Sequence, residues 1–237
     1  MDERLSVFFR LKAINISMKF IKVNDPNIAV EALAEKISES LKARSVLWLL
    51  PGGSNIPLSV RVMRIIRSKV SGEDLKNLTI ALTDERYGPL GHQNSNWQQL
   101  MNSRLDVRDI KVIQVLTGKS LKETVHEYNR KMEEIFESHT LIIAQFGIGV
   151  DGHIAGVLPG SIGVYDKNFV CSYESSPFIR ITLTLWAINK ISIAYAFAFG
   201  PFKKAIVERL NNENDFPIKV PAQILKQIDE SYLYAGE

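Results

Sequence analysis

With a single cysteine, Cys171, the chain cannot form an internal disulfide, which suits a reducing compartment. No apolar stretch reaches the ~18 residues that mark a membrane span. Asp2 and Glu3 precede the first short apolar run, so the basic start of a signal peptide is missing, as is its small-residue cleavage site. A cytoplasmic protein with no membrane partner is expected. Charge of one sign is also scarce. The 29 Lys and Arg residues barely outnumber the 26 Asp and Glu, leaving +3, and no basic run interleaves with aromatics. Nucleic acid is therefore not an expected partner.

Several catalytic signatures are missing as well. There is no Gly-x-Ser-x-Gly elbow of a serine hydrolase. There is no His-x-x-x-His, Cys pair or dense carboxylate cluster, so neither a metal nor a cofactor is expected. His126 and His139 lie on or beside one amphipathic stretch without partners at ligand spacing. Cys171 lacks the neighbours that would mark a nucleophile.

What is present is an alternation. Short apolar runs at 20–23, 45–50, 78–82, 112–115 and 141–146 read as strands, and so do the alternating stretches 180–185 and 193–199. Amphipathic stretches at 27–43, 57–70, 94–105, 121–137 and 202–210 read as helices, with a short last helix at 221–227. Asn24 or Asp25 can cap the first helix, with Pro26 in its first turn. Strand and helix in repeated succession imply βαβ units, hence an α/β fold with a mostly parallel central sheet covered on both faces. Such sheets bind ligands beyond the carboxyl ends of their strands.

Four polar clusters fall just there. Pro51-Gly52-Gly53-Ser54 separates a buried strand from a helix. It is either a tight turn or an anion site, in which glycines let the backbone approach and helix-start N–H groups face a phosphate. It is not a P-loop, because the Lys-Ser/Thr ending is missing. Thr83-Asp84-Glu85-Arg86-Tyr87 is either an exposed charged rim or a site in which Arg86 binds phosphate or an oxyanion and Asp84 orients a partner. His92, Ser95 and Asn96 follow in the same loop.

The segment Gly147-Ile148-Gly149-Val150-Asp151-Gly152-His153 is the most specific. A neutral His153 can take a proton from water, and Asp151 can fix its tautomer. The same glycines match a dinucleotide fingerprint, but no ribose-binding acid follows. Lastly, Gly200-Pro201-Phe202-Lys203-Lys204 puts lysines at a helix start, where a cation is disfavoured unless an anion binds; two solvated surface lysines are the alternative.

Together these motifs resemble the glucosamine-6-phosphate isomerase/6-phosphogluconolactonase family, and within it the lactonases. The matching stretches are Gly52-Gly53-Ser54; Asp84-Glu85-Arg86 with Ser95-Asn96; Gly147 through Pro159-Gly160-Ser161; and Arg180-Ile181-Thr182-Leu183-Thr184 followed by Gly200-x-x-Lys203. The resemblance implies a Rossmann-like three-layer α/β/α fold and a pentose phosphate pathway hydrolase acting on a phosphorylated sugar lactone. It implies that His153 activates water, that Asp151 supports it, and that Gly52, Gly53, Ser54, Asp84, Arg86 and Lys203 surround the substrate. Lys203 rather than Lys204 follows from counting three residues past Gly200.

Two positions depart from the lactonase spelling: Ile154 lacks a hydroxyl, so that the stretch from Gly147 to Ala155 leans toward the deaminases, and Asn55 replaces a threonine. Leu158, five residues past the histidine where the deaminases carry a glutamate, and Arg86 in Asp84-Glu85-Arg86 favour the lactonase. The alternatives are a glucosamine-6-phosphate deaminase/isomerase and a non-catalytic sugar-phosphate sensor. Residues 1–17 read as an extension of unknown role, and 18–237 as one lactonase-like domain. The oligomeric state stays open.

Overall fold

A computed structural model describes residues 18–236. The expected extension at 1–17 lies outside the described residues. Strand β1 (Met18–Lys22) leads through Asp25, whose carboxylate accepts from Asn27 N, into helix α1 (Pro26–Leu41). Its apolar face, including Val30, Leu33, Ile37 and Leu41, is buried. Each such side chain contributes about 1.5–3 kcal/mol of burial. Strand β2 (Val46–Leu50) is buried at all five positions, as its unbroken apolar run requires in a sheet covered on both faces.

Next come α2 (Ile56–Lys69), the short α3 (Gly72–Leu75), β3 (Leu78–Leu82) and β4 (Asp84–Arg86). After them come α4 (Asn96–Asn102), β5 (Lys111–Ile113), α5 (Leu121–Ser138) and β6 (Leu141–Gly147). The chain continues through β7 (Val170–Ser175), β8 (Phe178–Leu183), α6 (Leu185–Ile188) and β9 (Ile193–Phe199). It ends in α7 (Lys204–Asn212) and β10 (Glu230–Gly236).

Seven strands form one sheet in the order β1-β10-β9-β6-β2-β3-β5, every pair parallel. The expected α/β class and parallel sheet are observed. From β2 the chain steps outward to β3, whereas from β6 it steps the other way to β9. The neighbours β2 and β6 therefore flank the point where strand order reverses, and the loops after them open a crevice. Tyr128 on α5 ties this end together: its hydroxyl donates to Leu82 O at 2.7 Å and accepts from Leu82 N at 3.2 Å.

Three features differ from the sequence expectation. The run read as a strand at 180–185 is β8, and it belongs to a second, antiparallel sheet ordered β4-β8-β7. The charged triplet 84–86 is strand β4 of that sheet rather than loop. The segment at 221–227 is a 3-10 helix, and it is followed by β10, an interior strand that lies between β1 and β9. Thr83 joins the two sheets, donating to Leu50 O and accepting from Leu183 N, both at 2.9 Å. The second sheet thus sits over the carboxyl ends of β2 and β3.

Candidate active site

A pocket opens at the β2/β6 crevice, and all four sequence clusters reach it. Gly52, Gly53 and Ser54 line it from the loop after β2. Asp84 and Arg86 enter from β4, His153 from the loop after β6, and Lys203 from the turn before α7. Asp151 stands behind His153.

The loop after β6 is a tight turn. Gly149 N donates to His153 O at 2.9 Å, and Gly152 N to Gly149 O at 3.0 Å. This folds the Asp151 carboxylate under the imidazole, with Oδ1 2.6 Å from His153 Nδ1 and 3.2 Å from His153 N. Gly149 makes the pairing possible: a Cβ there would lie 2.0 Å from His153 Nδ1 and 2.4 Å from Asp151 Oδ1. Burial pushes the Asp151 carboxyl upward, but the hydrogen bond and charge of His153 outweigh it and hold the group at about 2. A carboxylate at Nδ1 fixes the proton there and leaves Nε2 as the basic nitrogen. Below the turn, the Tyr173 hydroxyl donates to Gly156 O and accepts from Leu158 N at 3.1 Å, anchoring the loop from β7.

Opposite stand the cations. Arg86 and Arg180 face each other across the β4–β8 pair and both line the pocket. Arg86 Nη1 donates to Asn94 O at 3.0 Å, yet the Nε atoms of both arginines are buried without a partner. Lys203 donates to Ile148 O. Burial lowers its ammonium pKa, partly offset by the charge of Asp151. Lys204 is exposed and does not line the pocket.

The polar floor has its own order. Asp84 is 7% exposed and accepts from Thr83 Oγ1 at 3.0 Å and Asn96 Nδ2 at 3.1 Å. Asn96 is fully buried against Gly52, where a Cβ would fall 2.2 Å from Asn96 Oδ1, and that oxygen has no partner. Asn55 Nδ2 donates to Phe197 O at 3.3 Å. Glu85 turns the other way. It is fully buried and accepts four bonds, from Arg86 N, Asn96 N, Ser95 Oγ and Trp97 N, at 2.6–3.0 Å. Burial raises its pKa against those four donors. Glu85 therefore holds the start of α4 against β4 instead of facing the pocket.

Arg180 and Asn96 also line the pocket, beyond the site residues expected from the sequence. The available signal was alternation: Phe178, Arg180 and Thr182 share one strand face, and a charged residue on such a face needs a partner. Elsewhere the side chains are occupied structurally. His139 bridges Ile135 O at 2.8 Å and Thr79 Oγ1 at 2.9 Å, and the buried Cys171 thiol is pushed up to about 12. Among the described residues no three His, Cys, Asp or Glu side chains gather as a metal site would need, and no helix is long and apolar enough to cross a membrane.

Residues 26–234 match the family model described as glucosamine-6-phosphate isomerases/6-phosphogluconolactonase. A 6-phosphogluconolactonase of Chlamydia muridarum is 20% identical over 190 residues, covering 77% of this chain and 73% of that protein. The crystal structure of a 6-phosphogluconolactonase from Shewanella baltica superposes with a TM-score of 0.77 at 19% identity, over 94% of this chain and 99% of that one. A monomeric glucosamine-6-phosphate deaminase does so almost equally, with a TM-score of 0.75 at 19% identity, over 93% of this chain and 98% of that one. The shared fold thus does not separate the two chemistries.

Proposed function

Because the chain belongs to the glucosamine-6-phosphate isomerase/6-phosphogluconolactonase family, we propose that it hydrolyses 6-phosphoglucono-1,5-lactone to 6-phosphogluconate, a step of the pentose phosphate pathway. The observation that carries this reading is the His153–Asp151 pair facing three cationic side chains, Arg86, Arg180 and Lys203, across one pocket.

With its proton held at Nδ1 by Asp151, His153 offers Nε2 to a water molecule. As the water oxygen bonds to C1 of the lactone, Nε2 takes its proton, and the carbonyl oxygen becomes an oxyanion. Cations and free N–H groups aimed at that oxygen stabilise it. Collapse breaks the bond from C1 to the ring oxygen, and Nε2–H returns the proton to that leaving oxygen. The substrate phosphate takes the remaining positive groups. Each charge-assisted bond to it contributes about 1.5–3 kcal/mol. The lactone is intrinsically reactive, so a base and positioning suffice.

Position 158 supports a lactonase over a deaminase. Leu158 is apolar and has no proton to give, whereas the deaminases carry a glutamate five residues past the histidine. A non-catalytic sensor has no need of a positioned base. The deciding assay follows loss of freshly prepared 6-phosphogluconolactone, corrected for spontaneous opening, beside ammonia release from glucosamine 6-phosphate. Ammonia release without lactone loss would overturn the lactonase, and ligand binding without either reaction would leave the sensor.

A further inference from the structure

Arg86 and Arg180 are directly opposed in the β4–β8 register, an arrangement that like charges normally destabilise. Among the described residues no carboxylate lies within ion-pair distance of either guanidinium. Arg180 makes no side-chain hydrogen bond among those residues, and each arginine keeps a buried Nε without a partner. One group does touch both. The ring of Phe178 lies under the Arg86 guanidinium at 4.9 Å and near that of Arg180 at 6.0 Å, centroid to Cζ. Phe178 is two residues from Arg180 on β8, so the two share a face of the strand.

The geometry points to Phe178 as the positioning residue that holds Arg86 and Arg180 together as a two-pronged reader of the substrate's phosphate dianion. The negative π-face of the ring attracts each cation and partly offsets their repulsion while the pocket is empty. When a dianion arrives, it supplies the missing counter-charge, and the guanidinium forks are already side by side to donate to it. Phe178 has no donor or acceptor to offer the substrate. It acts only through the arginines, so it should govern affinity for phosphate and leave proton transfer at His153 untouched.

The inference rests on the lactonase reading for its substrate, but its test does not depend on turnover. Binding of inorganic phosphate to the full chain is measured calorimetrically for wild type, Phe178→Leu and Phe178→Tyr. Steady-state constants for 6-phosphogluconolactone and unphosphorylated gluconolactone accompany it. Leucine keeps apolar bulk without a π-face; tyrosine keeps the face. The expected result is roughly tenfold weaker phosphate binding and a similarly raised KM for the phosphorylated lactone in Phe178→Leu. Its kcat and its use of the unphosphorylated lactone stay at wild-type levels, and Phe178→Tyr restores phosphate affinity.

Equal phosphate affinity in wild type and Phe178→Leu would overturn the inference. So would equal impairment of Phe178→Tyr, or equal loss on both lactones. A wild-type chain that binds phosphate but opens neither lactone refutes the lactonase while the phosphate series still decides the role of Phe178. A wild-type chain without phosphate affinity overturns the inference outright.

Discussion

In the loop that carries His153, the polar groups find partners close at hand: the imidazole on Asp151 and Gly149 N on His153 O within the loop itself, and Gly156 O on Tyr173 of β7. Across the pocket, Arg86 and Arg180 share an aromatic ring, leave both Nε atoms buried and unmatched, and face no carboxylate within ion-pair distance among the described residues. On the proposed reading, the first region is complete before a ligand arrives, whereas the second is completed by one. A base must be held in one tautomer and one orientation to be effective, so it benefits from a saturated surround. An anion reader must keep donors in reserve, because a built-in counter-ion would compete with the ligand.

The largest effect is expected at the base. His153→Ala should lower kcat about 10²- to 10⁴-fold while phosphate binding persists. A kcat near wild type would remove His153 from the mechanism. Gly149→Ala sharpens the point without touching a functional group. The new Cβ falls on His153 Nδ1 and Asp151 Oδ1, so the pair must part. Displacement of about an ångström costs on the order of 10²-fold. Gly149→Ala should therefore lower kcat by about that factor with KM little changed, measured on 6-phosphogluconolactone. Unchanged kcat would show that the pairing is incidental.

The same contrast explains what the sequence could disclose. The His153 loop was legible because it is local: three alternate glycines, an Asp and a His after an apolar strand form one contiguous signal. Strand β2 was legible for a similar reason, since burial on both faces demands an unbroken apolar run, and β6 nearly so, with Gln145 its one polar side chain. The arginine side was legible only in half. Arg86 and Arg180 are 94 positions apart in sequence and meet only through β4 pairing with β8. Asp84-Glu85-Arg86 by itself left a solvated rim open beside an anion site, because nothing local shows that Glu85 finds four donors in the interior. Likewise β10 joins the sheet between β1 and β9, a position set by pairing at long range and not by its own composition.

Removing the readers should cost less than removing the base. Arg86→Ala and Arg180→Ala should each weaken phosphorylated ligands by about 1.5–3 kcal/mol, or roughly 10- to 150-fold. Unphosphorylated gluconolactone provides the control. Matching losses on both substrates would assign these arginines to the reacting carbonyl instead of the phosphate. Lys203→Ala should produce a loss in the lower part of that range, because Lys203 already donates to Ile148 O and shares its charge with Asp151. Lys204→Ala should change neither substrate, since that side chain lies outside the pocket. The reverse ranking of the two lysines would shift the assignment by one residue.

The smallest effect is a matter of acid stability, and it separates the saturated region from the rest of the surface. The Asp151 carboxyl is held at about 2, below its ordinary 3.8. A group depressed in the folded state stabilises the fold fully above its unfolded value and loses that contribution as pH falls through the folded value. The contribution of Asp151 is therefore complete above about pH 4 and fades toward about pH 2. Because His153 and Asp151 are 34% and 42% exposed, solvent screens the pair, and the gain is small. Acid unfolding followed by circular dichroism should place the midpoint of Asp151→Asn slightly above that of wild type. The two stability curves should converge below about pH 2, where Asp151 is protonated and the variant lacks nothing. Coincident curves across the whole window would mean that His153 does not hold the carboxyl down, and the loop would then be saturated by its backbone bonds alone.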